Sequence, residues 1–155
     1  MLMLTACAGA PGWIMNPPEN PDELVRRFEN ANWEVLSDTN ILGTRSITAV
    51  RGSHSFDEID KMLEDESFDG NTDIWMEAGQ VSYFTGILAG ISATMAYEVL
   101  KAFMTDTVDD MTSEGVSASV QIRRTDNRVS LWIRVSGRLS VFADADFDIE
   151  DFLPF

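Results

Sequence analysis

Few side chains of the types that perform catalysis are present in this chain of 155 residues. His54 is its single histidine, and Ser53, Ser55 and Asp57 supply hydroxyls and a carboxylate close to it in sequence. A general base also needs a nucleophile and an orienting acid placed around it in three dimensions, which neighbouring sequence positions do not provide. We therefore interpret His54 as a solvated or capping residue at the start of a helix, and we expect no enzymatic activity.

The sequence also lacks a pattern of metal ligands or a phosphate-binding loop. One Cys and one His far apart do not make a zinc site, which takes three or four such ligands. The acidic runs at residues 65–70 and 144–148 carry the oxygen ligands that calcium prefers, but neither continues into the full pattern of a calcium-binding loop. We interpret both runs as solvated acidic segments and predict no cofactor.

The single cysteine, Cys7, follows Leu4, Thr5 and Ala6, and a small, flexible segment at residues 8–12 comes after it. This start resembles the lipobox of bacterial lipoproteins, in which a Leu and two small residues precede the Cys that receives the lipid. The resemblance covers these four residues and the tether. It implies that Cys7 is the lipid attachment site and that the chain is anchored in the cell envelope.

The segment before Cys7 departs from a secretory signal, which has a basic region followed by about 7–15 apolar residues. Residues 1–4 are apolar and include no Lys or Arg. Two explanations remain open. Either the true start lies upstream of Met1, or the match is a coincidence and the chain begins with a frayed apolar terminus and an ordinary thiol.

Basic residues are concentrated in the C-terminal third. Five of the eleven lie in residues 116–142, where Asp126 is the one acid. Alternating apolar and polar residues there predict strands with one apolar face, which leaves the basic and aromatic side chains on the other face. Trp and Arg are enriched at interaction hot spots, so this surface is predicted to bind a carboxylate ligand, a partner's acidic segment or, as our first choice, the chain's own acidic tail. The predicted binding residues are Arg123, Trp132, Arg134 and Arg138.

The overall charge is strongly negative. With 26 acidic and 11 basic side chains the formal net charge is −15. This argues against nucleic-acid binding through a broad basic face, because neutralising phosphates needs clustered Lys and Arg. It favours electrostatic attraction to a basic protein partner. The length indicates one domain with a self-sufficient core.

Several local signals predict the elements. Asn20 and Pro21 mark the start of one helix, and Ser55 with Glu58 forms a capping box at the start of a second. Strands at residues 33–36 and 44–51 are predicted to form a hairpin, with a turn at residues 37–40. Residues 13–21 read as an extended linker.

Residues 78–97 carry no charge, which predicts a long buried helix over residues 74–104. Eight of those twenty residues are Gly or polar, which favours burial in a globular domain over a membrane span. One helix face is predicted to bury bulky side chains, and the opposite face, with Gly86 and Gly90, to let a second backbone approach. The bulky side chains are Phe84, Ile87, Leu88, Ile91, Met95 and Val99.

Together these elements predict an α+β fold. An antiparallel sheet, made of the hairpin and a C-terminal three-strand meander that ends in a strand at residues 138–143, packs on the long helix and two shorter helices. The predicted organisation is a tether or linker at residues 1–20, one domain at 21–143 and an acidic-aromatic tail at 144–155. The predicted function is that of a non-catalytic, envelope-anchored binding or structural protein that acts through protein–protein contacts. The alternative is a cytoplasmic acidic inhibitor of a basic partner, such as an immunity protein or a nucleic-acid mimic.

Overall fold

A computed structural model describes residues 9–65, 67 and 70–144. The architecture is α+β, as predicted, with a five-stranded antiparallel sheet in the order β1-β2-β3-β5-β4. The helices are α1 (Gly12–Met15), α2 (Pro21–Asn30), α3 (Phe56–Glu64), α4 (Ala89–Ser113) and α5 (Leu139–Asp144), and the strands are β1 (Glu34–Ile41), β2 (Thr44–Gly52), β3 (Asp73–Phe84), β4 (Ser117–Thr125) and β5 (Arg128–Arg138). The predicted lipid attachment site, Cys7, and residues 145–155 of the predicted tail lie outside the described residues.

Two hairpins flank the central strand β3. In the β1–β2 hairpin the two loop residues, Leu42 and Gly43, have φ angles of 51° and 79°. Two consecutive positive φ angles give a two-residue turn whose twist matches that of the strands. The turn predicted at residues 37–40 was therefore wrong, because those residues continue β1 and pair with β2.

Helices cover the sheet on both faces. On what we call the back face, α3, α4 and α5 contribute Ile59, Met104, Met111 and Leu139 to one core cluster. On what we call the front face, α1 and α2 contribute Ile14, Leu24 and Phe28 to a second cluster. The front-face strands offer small side chains below these helices, Ala49 and Gly79 among them. A Cβ atom added to Gly79 would lie 3.2 Å from Ile14 Cδ1, so the absence of a side chain there lets α1 pack closely.

The helix starts agree with the capping signals. Asn20 Oδ1 accepts a hydrogen bond of 2.9 Å from the backbone N–H of Asp22, and Pro21 occupies the first helical position. Ser55 and Glu58 form the reciprocal capping box at the start of α3. A side chain that satisfies an otherwise unpaired N–H makes the helix start at a defined residue.

The uncharged central stretch forms two elements instead of one helix. Its first part is β3, which pairs with a neighbour along both edges, and the helix starts only at Ala89. Gly86, with a φ of 93°, lies in the connection between them. A strand that is covered on both faces carries a nearly continuous apolar run, which hydrophobicity alone does not distinguish from a buried helix.

The predicted third strand of the meander was also wrong. Gly137 lies within β5 and not in a turn, and residues 139–144 form α5. The backbone N–H groups of Leu139 and Ser140 donate to the carbonyls of Thr72 and Gly70, so the chain leaves the sheet at that point. The sheet still has five strands because β3 takes the fifth place. The segment predicted as an extended linker contains α1, whose Ile14 is completely buried.

Candidate functional site

The strand register places the predicted binding residues on one face of the sheet. Arg123 in β4 lies opposite Ser130 in β5, and no register shift interrupts β5, so Arg123 shares the front face with Trp132, Arg134 and Arg138. That face is not bare, because α1 and α2 pack on part of it. Trp132 is only 2% exposed and belongs to the front-face core, so it is not a surface residue.

Trp132 is paired with a buried carboxylate. Its indole Nε1–H donates to Glu77 Oε2 at 2.6 Å, and Glu77 itself is 2% exposed. Arg51 donates to the other carboxylate oxygen. Arg51 and Arg134 are the two residues that lie directly across from Glu77 on the neighbouring strands. A buried carboxylate is tolerated only when it is paired and hydrogen-bonded, and both requirements are met here.

Each of these two arginines also lies over an aromatic ring. The Arg134 guanidinium lies 4.4 Å from the centre of the Trp75 ring, and that of Arg51 lies 4.9 Å from the centre of the Trp33 ring. Both distances are within the range of cation–π attraction. Glu77 and its neighbours therefore satisfy one another and form a structural cluster. Sequence reasoning missed Glu77, which lies in the segment predicted as a long buried helix.

A groove opens on the front face beside this cluster, between α1, α2 and β4. Its volume is about 560 Å³, within the range of small-molecule sites. Arg27 of α2 and Arg123 of β4 provide its charge. The other lining residues are Gly12, Trp13, Met15, Asn16 and Pro18. Of the predicted binding residues, Arg123 alone lines this groove.

The Trp13 side of the groove is anchored by edge-to-face contacts between aromatic rings. Trp13 meets Phe28 edge-on with 5.2 Å between ring centres and Trp33 edge-on with 6.2 Å. Edge-to-face pairs of this kind add to the stability gained from burial. The Trp13 ring is thus held in place against the core while it also faces the groove.

The two arginines of the groove are weakly paired or unpaired. Arg26 donates a hydrogen bond to a carboxylate oxygen of Glu23 at 2.6 Å, and this bond holds the pKa of Glu23 below its usual value. Arg27 approaches Glu23 only to 3.6 Å. Arg123 makes no ion pair with any residue in the described ranges. The groove therefore holds one guanidinium, Arg27, that shares a carboxylate at longer distance and one, Arg123, that no carboxylate in the described ranges pairs.

Helix α4 presents a second candidate surface on the opposite side of the sheet. Five bulky apolar side chains, one at the N-cap of α4 and four within it, follow one another at a spacing of three or four residues and are 52–70% exposed: Leu88, Ile91, Met95, Val99 and Phe103. We call these five the α4 stripe. The prediction that this bulky face is buried was wrong. The helix instead turns small side chains such as the completely buried Ala93 inward. Gly86 and Gly90, which were predicted to admit a second backbone, face open space, so that prediction was wrong as well.

The physical reason lies in the approach of α4 to the sheet. The helix packs mainly along β4, and small residues on its inner side let the backbones come close. Larger inward side chains, Leu100, Met104 and Met111, follow from the middle of the helix onwards. The bulky stripe then points away from the core.

Other candidate sites gain no support. Within the described ranges no group of three or more His, Cys, Asp or Glu residues could hold a metal ion. His54 is half-buried, and its Nδ1 lies 3.0 Å from Ser53 Oγ. None of the helices in the described part of the chain is both long and apolar enough to cross a membrane.

Comparisons of this chain with protein-family models, with curated proteins and with solved structures produced no match. The α4 stripe and the groove are the two candidate binding surfaces of the described part of the chain.

Proposed function

We propose that this chain is a non-catalytic binding protein that acts through protein–protein contact and is held at the cell envelope by a lipid on Cys7. The observation that carries the proposal is the α4 stripe. Its five side chains form contiguous apolar surface on the order of several hundred Å², and patches of about 300–600 Å² often mark functional sites on monomers. Apolar side chains that stay in water do not contribute the free energy of burial. A partner that covers them removes this surface from water, which stabilises the complex.

The charges along α4 define the chemistry of that partner. Beyond Phe103 the same outward face continues with acidic residues three, six and seven positions further on, and these are Asp106, Asp109 and Asp110. A complementary surface is an apolar groove with basic side chains at one end. A second copy of this chain would instead bring its own acidic residues to the contact, and it carries the same net charge of −15. We therefore commit to a different protein as the partner.

The envelope anchor is supported by the lipobox-like sequence that ends at Cys7. The chain enters the domain shortly afterwards, and the backbone N–H of Ala10 donates to Gln121 Oε1 at 2.7 Å. A lipid on Cys7 would thus be joined to the domain through two residues, without a long linker between them. Intact-mass measurement of the natively expressed protein tests this part, since a lipid adduct on an N-terminal Cys7 is expected and an unmodified thiol contradicts it.

Purification from the native host tests the binding surface. We expect one protein to co-purify with the full-length wild-type chain and to be lost with the double variant Ile91→Glu, Val99→Glu. The matched control is Thr105→Glu, which adds charge to an exposed position of the same helix outside the stripe. Retention by the stripe variant, or equal loss with the control, contradicts the proposal.

One observation favours the cytoplasmic acidic inhibitor as a second candidate. The stripe leads directly into the acidic end of α4, so a basic enzyme could be covered by both together. This candidate predicts an unlipidated chain in the cytosol and a complex whose association slows steeply with added salt. An envelope location of the native protein contradicts it.

A further inference from the structure

The groove on the front face combines weakly paired positive charge with apolar walls. We propose that it binds the phosphate headgroup of an anionic phospholipid when the chain sits at a bilayer. The inference rests on the lipid anchor of the proposed function and concerns a different surface from the α4 stripe. The guanidinium groups of Arg27 and Arg123 supply the phosphate contacts, because planar guanidinium donors match phosphate oxygens well.

The pairing of these arginines leaves them available. Glu23 is engaged by Arg26 at 2.6 Å, which leaves Arg27 with a distant contact of 3.6 Å to the same carboxylate. Arg123 has no ion-pair partner in the part of the chain that the structure describes. An exposed, weakly paired guanidinium has little to lose when it binds a phosphate.

The walls match the amphipathic part of a lipid near its headgroup. Trp13, Met15 and Pro18 line the groove and offer apolar surface next to the charge. Trp side chains are enriched where a membrane meets water, because one end of the ring is apolar and the other donates a hydrogen bond. An inorganic anion would use the arginines only, whereas a phospholipid would use both parts of the groove.

The distribution of charge singles out this side of an acidic protein. Residues 9–18 and β4 contain no acid, and the three acids of α2 exceed its two arginines by only one charge. The net charge of −15 is therefore carried elsewhere on the surface. Adsorption of the whole protein to anionic lipid is unfavourable, but this side can face such a surface if another interaction holds it there.

The path of the N-terminal segment provides that orientation. Ala10 is hydrogen-bonded to Gln121, a neighbour of the groove residue Arg123 on the same face of β4. Three residues of fully extended chain span at most about 11 Å, so a lipid on Cys7 would hold this edge of the sheet close to the membrane. The groove would then lie at the level of the headgroups.

Titration calorimetry with the unlipidated full-length chain tests the groove by itself. The probe is dihexanoylphosphatidylglycerol below its micelle concentration, compared with dihexanoylphosphatidylcholine and with inorganic phosphate. We expect the anionic lipid to bind best, and Arg123→Gln to weaken its affinity about tenfold. The matched control is Arg124→Gln, which removes the same charge from the adjacent position on the opposite face of β4. The affinity of this control for the anionic lipid should stay within about twofold of the wild-type value.

A second arm separates a bilayer from a free lipid as the source. Since Cys7 is the only cysteine, the chain can be coupled there to maleimide-bearing vesicles with bromine-labelled acyl chains. We expect stronger quenching of tryptophan fluorescence with phosphatidylglycerol than with phosphatidylcholine vesicles, and no such difference for Arg123→Gln or Trp13→Phe.

Three results would overturn the inference: no binding of the anionic short-chain lipid, equal binding of inorganic phosphate, or equal losses in Arg123→Gln and Arg124→Gln. Quenching that is independent of lipid charge would overturn the bilayer as the source. Neither arm depends on whether cells attach a lipid to Cys7. Failure of the groove is therefore distinguishable from failure of the anchor, which intact mass reports.

Discussion

Trp132 and Glu77 form a hydrogen bond of 2.6 Å between two side chains that are each only 2% exposed. The pair lies on the front face of the two central strands, where Gly79 is the direct neighbour of Trp132 across the ladder. The bond joins the front-face core to the ion pair between Glu77 and Arg51. It explains why an indole predicted to lie on the surface is buried.

Loss of this hydrogen bond is expected to destabilise the fold. Trp132→Phe keeps most of the apolar contact but leaves a buried carboxylate oxygen without its donor, which should cost about 1–3 kcal/mol of unfolding free energy. Urea denaturation at neutral pH measures it. The matched control is Trp75→Phe, a half-buried ring on the same face, which should cost less than about 0.5 kcal/mol. Equal costs for the two variants would show that the Glu77 contact adds nothing.

The close packing of α1 on the sheet can be tested at Gly79. Gly79→Val adds methyl groups where a Cβ atom already lies 3.2 Å from Ile14 and 3.4 Å from Phe28, so it should cost about 1–3 kcal/mol. Gly90 provides the contrast, because an added Cβ there meets no atom within 4 Å. Gly90→Ala should raise stability by up to about 1 kcal/mol through helix propensity. Thermal or urea unfolding checks both, and a Gly79→Val chain as stable as wild type would contradict the packing.

Stability at alkaline pH should depend on Tyr83. Burial raises the pKa of its hydroxyl to about 12, and that hydroxyl donates to the Pro18 carbonyl at 2.8 Å. An unfolded tyrosine ionises near pH 10, so between about pH 10 and 12 the unfolded chain binds fewer protons than the native one. Unfolding free energy should therefore fall with rising pH in this window. Tyr83→Phe should flatten this fall, and an unchanged slope in that variant would assign the loss to other groups.

Much of the local structure could be predicted from the sequence. Asn20 with Pro21 and Ser55 with Glu58 mark helix starts through hydrogen bonds within a few residues, and such signals do not depend on the rest of the fold. The fold class could also be predicted, because apolar and polar residues alternate clearly along β4 and β5. Residues 74–84 were misassigned because β3 is covered on both faces, and its apolar run has no period that excludes a helix.

The candidate surfaces were harder to predict because they depend on tertiary packing. The sequence defines a bulky side and a small side of α4, but only its approach to β4 decides which side turns inward. Similarly, Arg123 and Trp132 share a face in the predicted pattern, yet the packing of α1 and α2 decides that one lines a groove and the other is buried. Trp13 and Arg27 lie more than ninety residues before Arg123, and no local signal brings them together.

The α4 stripe should be dispensable for folding. Met95 is 64% exposed, so Met95→Glu should change the unfolding free energy by less than about 0.5 kcal/mol. Met104→Glu on the same helix would bury a charge in the back-face core and should cost several kcal/mol. Urea denaturation separates the two. A large loss in Met95→Glu would mean that the stripe supports the domain itself.

The most direct test of the central claim is photo-crosslinking from the stripe in the native host. A benzophenone amino acid at Val99 should capture one distinct protein, while the same group at Asp57, an exposed position on α3, should not. Capture of that protein from Val99 and its loss when Ile91→Glu is added would establish the stripe as the binding surface. A product of twice the chain's own mass, or equal capture from both positions, would contradict the proposed function.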